Sequence, residues 1–213
     1  MTFEGEPIGV AGMKDYTPPR QARAAETERR FLEAFQVVMS LKGFAQTTIE
    51  DVAEHAGLNR SAFLKRFGSK EQALFALYGQ YCAKASDLMR DIRVHDVGVL
   101  SIDGVLMAMT VRFEALLREH FAANRAMHEH FMANLEIHDA TRQLFRECVA
   151  LVTAVQQSYL PEGTYSKVGA YSAAQLLVTI DYNFVLMAMP GLPREAEDRH
   201  RLIVDLLKVA LSR

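Results

Sequence analysis

The sequence predicts an all-α protein, with a small N-terminal bundle of three helices followed by a larger helical domain. Two observations on spacing carry that prediction. Apolar residues recur at three- and four-residue intervals through most of the chain. Nothing longer than a few residues alternates with period two, and no Asn-Gly or Asp-Gly turn joins β-rich runs. A third is bulk: 213 residues, 50% of them hydrophobic, can bury a substantial core, which argues against disorder throughout.

Residues 1–16 carry Gly5, Gly9 and Gly12 and no sustained periodicity, so they are expected to form a flexible arm. Thr17 before Pro18 and Pro19 suits a helix opening, because a threonine oxygen caps free amides and proline tolerates the first turn. The helix should run to about Lys42, with Phe31, Phe35, Val38 and Met39 on one face and Gly43 as its stop. These elements divide the chain into an arm at 1–16, a helix-turn-helix domain at 17–75 and a larger helical domain at 76–213.

The stretch from Thr47 to Glu71 carries the most specific signal. Thr47 with Glu50 matches a capping box, starting a helix whose buried face is Ile49, Val52, Ala53 and Ala56. Gly57 stands where two short helices need a sharp turn and left-handed backbone angles. Asn59 can cap the next helix, in which Ala62, Phe63 and Phe67 point inward and Arg60, Ser61, Leu64, Lys65 and Arg66 lie around the outer faces. Ser69 with Gln72 reads as a second capping box, placing Lys70 beside free amides where phosphate is the natural ligand.

Charge is sorted by segment. The formal net charge is only -2, yet Arg60, Lys65, Arg66 and Lys70 follow one another with no acid between, directly after Glu50, Asp51 and Glu54. A short helix with an apolar back and a basic front suits the major groove of double-stranded DNA. By position, Arg60, Ser61 and Lys65 are expected nearest base edges, with Thr47, Thr48, Arg66 and Lys70 on phosphates.

Further along, Ile102, Val105, Leu106, Met109, Phe113, Leu116 and Leu117 form one helical stripe, and Leu144, Cys148, Leu151 and Val155 another. From Val168 to Pro193 only Asp181 is charged, so that helix must be covered on more than one side. Gln175, Asp181 and Asn183 near its middle argue against a membrane span. Pro190, Gly191, Leu192 and Pro193 then break the chain, and Glu195, Glu197 and Asp198 open a last helix with Ile203, Leu206, Leu207 and Ala210 as its stripe. Surplus apolar surface on the helices around 166–189 and 195–211 predicts a homodimer interface. Met109, Phe113, Asp181 and Tyr182 are the candidate small-molecule contacts, with core packing or a buried structural hydrogen bond as the plainer role of each.

Other chemistry finds little support. Cys82 and Cys148 are far apart and in no paired motif, which fits a reducing cytoplasm, and the first residues lack a signal-peptide pattern. His128 and His130 are two apart and diverge on a helix, so no metal site is expected. Without a Ser-His-Asp order, a phosphate loop or a cofactor fingerprint, the chain reads as no enzyme and as needing no cofactor. A small helical enzyme and a helical adaptor binding protein through 168–211 remain as alternatives.

At these residues the chain resembles the tetracycline-repressor (TetR) family of bacterial regulators. The order is the family's: Gly43-Phe44, Thr47-Thr48-Ile49, Val52-Ala53 with Ala56-Gly57, then Phe67 and Ser69-Lys70-Glu71 with Leu74. The resemblance is specific over roughly 25–75. It implies that the helix from Asn59 is a recognition helix, that the C-terminal domain binds an effector and forms a homodimer, and that the effector typically releases DNA. The chain departs from the family at Leu64, where tyrosine is usual, at Arg66, where histidine is frequent, and at Asn59 and Ser61, where serine and glycine are frequent.

Overall fold

The computed structural model describes the backbone of residues 22–131, 135–186 and 193–212, and the side chains of 22–130, 140–179 and 193–212. Thr17 to Pro19, Met132 and Pro190 to Leu192 lie outside the described residues, as do the side chains of Asp181, Tyr182 and Asn183. Among the described residues the chain forms nine helices and no strand. They are α1 (Ala22–Gln46), α2 (Ile49–His55), α3 (Arg60–Phe67), α4 (Lys70–His95), α5 (Ile102–Glu119), α6 (Phe121–Phe131), α7 (Leu135–Tyr159), α8 (Lys167–Leu186) and α9 (Ala196–Leu211). They assemble into two compact units, formed by the described residues of 1–82 with 120–140 and by those of 83–119 with 141–213.

In the first unit, α1 buries Phe31, Leu32, Phe35, Val38 and Met39 along one face, as their spacing predicts. Gly43 (φ 76°, ψ 162°) interrupts the helical backbone at the expected stop, and Phe44 beyond it turns back into the core. Phe63 and Phe67 of α3 meet α1 edge-on: the Phe31 and Phe63 rings are 5.3 Å apart at 87°, and Phe35 and Phe63 are 6.4 Å apart at 81°. Rings at such angles place the positive edge of one on the negative face of the other, adding to burial worth about 2 kcal/mol per side chain. The helix α6 also packs on α1, and three of its buried residues, Ala122, Ala123 and Ala126, are small.

The second unit is built on one apolar cluster. Met89 and Ile92 of α4, Val105, Leu106 and Met109 of α5, Cys148, Leu151 and Val155 of α7, Ala173 and Leu177 of α8, and Ile203 and Leu207 of α9 are all buried in it. Two polar anchors pin its loops. The Tyr159 hydroxyl accepts from the Gly98 amide at 2.7 Å and donates to the Leu100 carbonyl at 2.7 Å, and the buried Gln156 donates to the Leu211 carbonyl at 3.0 Å. In α9 the inward stripe is Ile203, Val204, Leu207 and Leu211; Leu206, expected inside, is exposed, because the helix turns that position away from the cluster. Glu195 stands at the N-cap of α9 without a side-chain cap bond. Cys82 and Cys148 are buried and form no disulfide.

Candidate nucleic-acid interface

The site is assembled by caps. Thr47 is buried and its hydroxyl donates to the Gly43 carbonyl at 2.8 Å, so it is committed to closing α1. The cap of α2 therefore falls one residue later than the spacing predicts. Thr48 Oγ1 accepts from the Asp51 amide at 3.1 Å, and Asp51 Oδ2 accepts from the Thr48 amide at 2.9 Å, a reciprocal box of Thr48 and Asp51 in place of Thr47 and Glu50. Lys42 Nζ lies 2.6 Å from the same carboxylate oxygen. That ammonium first, and then the bonds from Thr48, hold the Asp51 carboxyl at about 2, well below its ordinary range.

The turn behaves as its residues predict. Gly57 adopts φ 61°, and Arg30 Nη2 donates to the Ala56 carbonyl at 2.5 Å, closing the end of α2 from α1. A Cβ at Gly57 would meet that guanidinium nitrogen at 3.1 Å. Asn59 caps α3, its Oδ1 accepting from the Ala62 amide at 2.8 Å, and Gly68 (φ 78°) ends the helix with its amide on the Leu64 carbonyl at 2.8 Å. Ser69 Oγ accepts from the Gln72 amide at 3.2 Å, as a cap of α4 should.

The cations of this stretch separate into two groups. Arg60, Ser61 and Lys65 are exposed on α3, and among the described residues Lys65 makes no ion pair. Arg60 Nε lies 2.6 Å from Glu50 Oε1 of α2, both side chains remaining more than half exposed. Arg66, expected on the outer face, instead turns its guanidinium back to the buried carboxylate of Glu28 on α1. The physical reason is that Glu28 is buried on the apolar face of α1, where a carboxylate without a partner would be costly. Lys70, expected on phosphate beside free amides, is also claimed by the fold. Its ammonium donates to the Phe44 and Thr47 carbonyls at 2.9 and 3.0 Å and stands 4.3 Å from the centre of the Phe44 ring. Carbonyl oxygens at the end of α1 attract an ammonium directly, whereas amides of like polarity do not. Thr47, Arg66 and Lys70 thus hold the scaffold together, while Thr48 stays exposed at the start of α2.

Glu28 escapes a reading by sequence, although an acid three, four and seven residues before Phe31, Leu32 and Phe35 is a signal for a buried cationic partner. A second buried carboxylate, Glu114, lies on the apolar stripe of α5 in the other unit. It accepts from Arg199 Nη2 at 2.7 Å, from Arg118 Nε at 2.8 Å and pairs with His200 Nε2 at 2.8 Å. Burial alone would raise its pKa, but Arg199, Arg118 and His200 prevail and bring it to about 2. Of the candidate effector contacts, Met109 is wholly enclosed by the apolar cluster and Phe113 lies at the cluster's edge. The side chains of Asp181 and Tyr182 fall outside those described. No helix among the described residues is long and apolar enough to cross a membrane.

Comparison with known proteins places this geometry. Residues 32–77 match the family described as bacterial regulatory proteins, tetR family. Over 67 residues the chain is 31% identical to YerO, an uncharacterized HTH-type transcriptional regulator of Bacillus subtilis; the match covers 32% of this chain and spans only 23% of that protein's length. Among solved structures, GusR of Salmonella enterica superposes with a TM-score of 0.67 at 16% identity, covering 92% of this chain and 100% of that one. A TetR-family regulator of Mesorhizobium loti, itself described as putative, gives a TM-score of 0.66 at 16% identity over 89% of this chain and 97% of its own. At these identities the likeness is one of fold, and it extends across both units.

Proposed function

We propose that the chain is a regulator of the tetR family, whose model its residues 32–77 match, and that it binds a near-palindromic DNA operator as a homodimer and releases it when a small molecule occupies its C-terminal domain. The observation that carries the reading is α3 itself. Phe63 and Phe67 are buried beneath it while Arg60, Ser61 and Lys65 stand exposed on its other side, so a cationic helix is braced by its own apolar back. Thr48 at the cap of α2 joins them as a phosphate contact, and residues 17–75 form the DNA-binding domain.

The homodimer is supported by apolar residues that the second unit leaves exposed. Val168, Tyr171 and Val178 recur along one side of α8, and Leu206 and Val209 stand out from α9, which packs on α8. A two-fold pair through these helices, within residues 76–213, needs its two copies of α3 about 34 to 36 Å apart to read adjacent major grooves. The small-molecule site belongs to the same unit, with Phe113 and Met109 the candidate apolar contacts. In this reading the protein acts as a repressor in the cytoplasm, and its chemistry is binding rather than catalysis.

Titration of the full chain against near-palindromic and scrambled duplexes at several salt concentrations tests the proposal. Lys65→Ala should weaken binding to every duplex and flatten the logarithmic salt dependence by about 0.9 for each phosphate that Lys65 reaches in the wild-type chain. An unchanged affinity and salt slope in that variant would show that α3 does not face DNA.

A further inference from the structure

The ion pair between Arg60 and Glu50 has no evident structural purpose. Both side chains are more than half exposed, and pairs of that kind contribute little to stability because water screens them and two side chains must be ordered to form them. Its position is more telling. Glu50 lies in the first turn of α2 and Arg60 is the first residue of α3, at the end of a recognition helix from which side chains reach base edges. The neighbouring cations have other duties, Lys42 on Asp51, Arg66 on Glu28 and Lys70 on two carbonyls.

Resting on the DNA-binding reading above, we infer that Arg60 reads the edge of a guanine, and that Glu50 is the residue that orients it and keeps it off the phosphates. The carboxylate makes its closest approach at Nε, which leaves N–H donors at the Nη end of the planar guanidinium for a second acceptor. Guanine presents two such acceptors, O6 and N7, side by side in the major groove, and both are uncharged. A phosphate is an anion, and a carboxylate 2.6 Å from the same guanidinium cancels the attraction and repels it. The pair as a unit is neutral, so its affinity for the backbone is small while its hydrogen-bonding fork remains. Lys65, expected by position nearest base edges, is an exposed ammonium with no carboxylate beside it among the described residues, so it has the opposite character and is assigned to the backbone instead.

Selection of duplexes from a random-sequence pool by the full-length protein, followed by titrations on the selected duplex and on a scrambled one, tests this. The wild-type chain should enrich a near-palindrome with guanine at one position of each half. Arg60→Ala should enrich the same palindrome with that position degenerate, weaken binding to the selected duplex roughly ten- to a hundredfold, and change little on the scrambled duplex or in salt slope. Glu50→Gln should raise affinity for the scrambled duplex, steepen the salt slope by about 0.9 for each phosphate that Arg60 now reaches, and narrow the ratio between the two duplexes. If Arg60→Ala weakens both duplexes alike with a flatter slope, Arg60 is a phosphate contact and the inference fails. If Glu50→Gln leaves ratio and slope unchanged, Glu50 has no part in specificity. A wild-type chain that retains no duplex even at low salt overturns the DNA-binding reading itself, and the inference with it.

Discussion

The charges of α3 and those between α5 and α9 use the same residue types at very different depths. On α3, Arg60 meets Glu50 in the open, and Arg66, six residues on, meets Glu28 with about a fifth of its own side chain exposed. Between α5 and α9, Glu114 and Arg199 are both below a tenth exposed, and the one carboxylate gathers Arg199, Arg118 and His200. The difference teaches that burial, more than geometry, decides what an arginine–glutamate pair does. A buried pair fastens two helices, since neither charge can be left without the other; an exposed pair rearranges easily and so is available to a ligand.

Removing a partner at each depth grades that comparison. Glu114→Ala leaves Arg199 and His200 without their acceptor in the core and should cost about 3 to 5 kcal/mol, read as a fall in the urea midpoint of unfolding. The same carboxyl gives a pH signature. Its folded value of about 2 lies below the ordinary 4.5, so the unfolded chain binds the proton more readily. The stabilisation is complete above about pH 4.5 and declines as pH falls toward 2. Urea midpoints measured between pH 7 and 3 should drop for the wild-type chain and drop less for Glu114→Gln; parallel curves would remove Glu114 from the account.

Glu28→Ala should cost less, about 2 kcal/mol, because Arg66 retains some access to water once its partner is gone. Arg66→Lys sharpens the point: it keeps the charge but not the fork, and in thermal unfolding should be less destabilising than Glu28→Ala. The smallest effect belongs to the open pair, where Glu50→Gln should shift stability by no more than about 0.5 kcal/mol while altering DNA selectivity. A large destabilisation there would make the pair a fastener after all and erase the contrast between the two depths.

How far the molecule can be read from its sequence follows the same division between near and far. Phe63 and Phe67 of the inward set of α3 and the cap at Asn59 are encoded within eight or nine residues and appear where spacing places them, while Ala62 is only half-buried. The cap of α2 falls at Thr48 and not at Thr47, because two adjacent threonines compete and the choice depends on the Gly43 carbonyl that claims the first. Arg66 and Lys70 read from sequence as outward cations; their partners lie 38 residues away for Arg66 and 26 and 23 for Lys70, and no local pattern pairs them. Nor does any local signal draw α6 back onto α1.

By itself the sequence determined the all-α class, the breaks at Gly43 and Gly57, and the amphipathic backs of the helices, because periodicity, capping and left-handed turns are properties of a few consecutive residues. Only the tertiary structure decided which arginine faces water and which is bound, since that depends on whether a carboxylate from a distant helix is buried beside it, and the cost of leaving such a charge unpaired outweighs any preference written into the local chain.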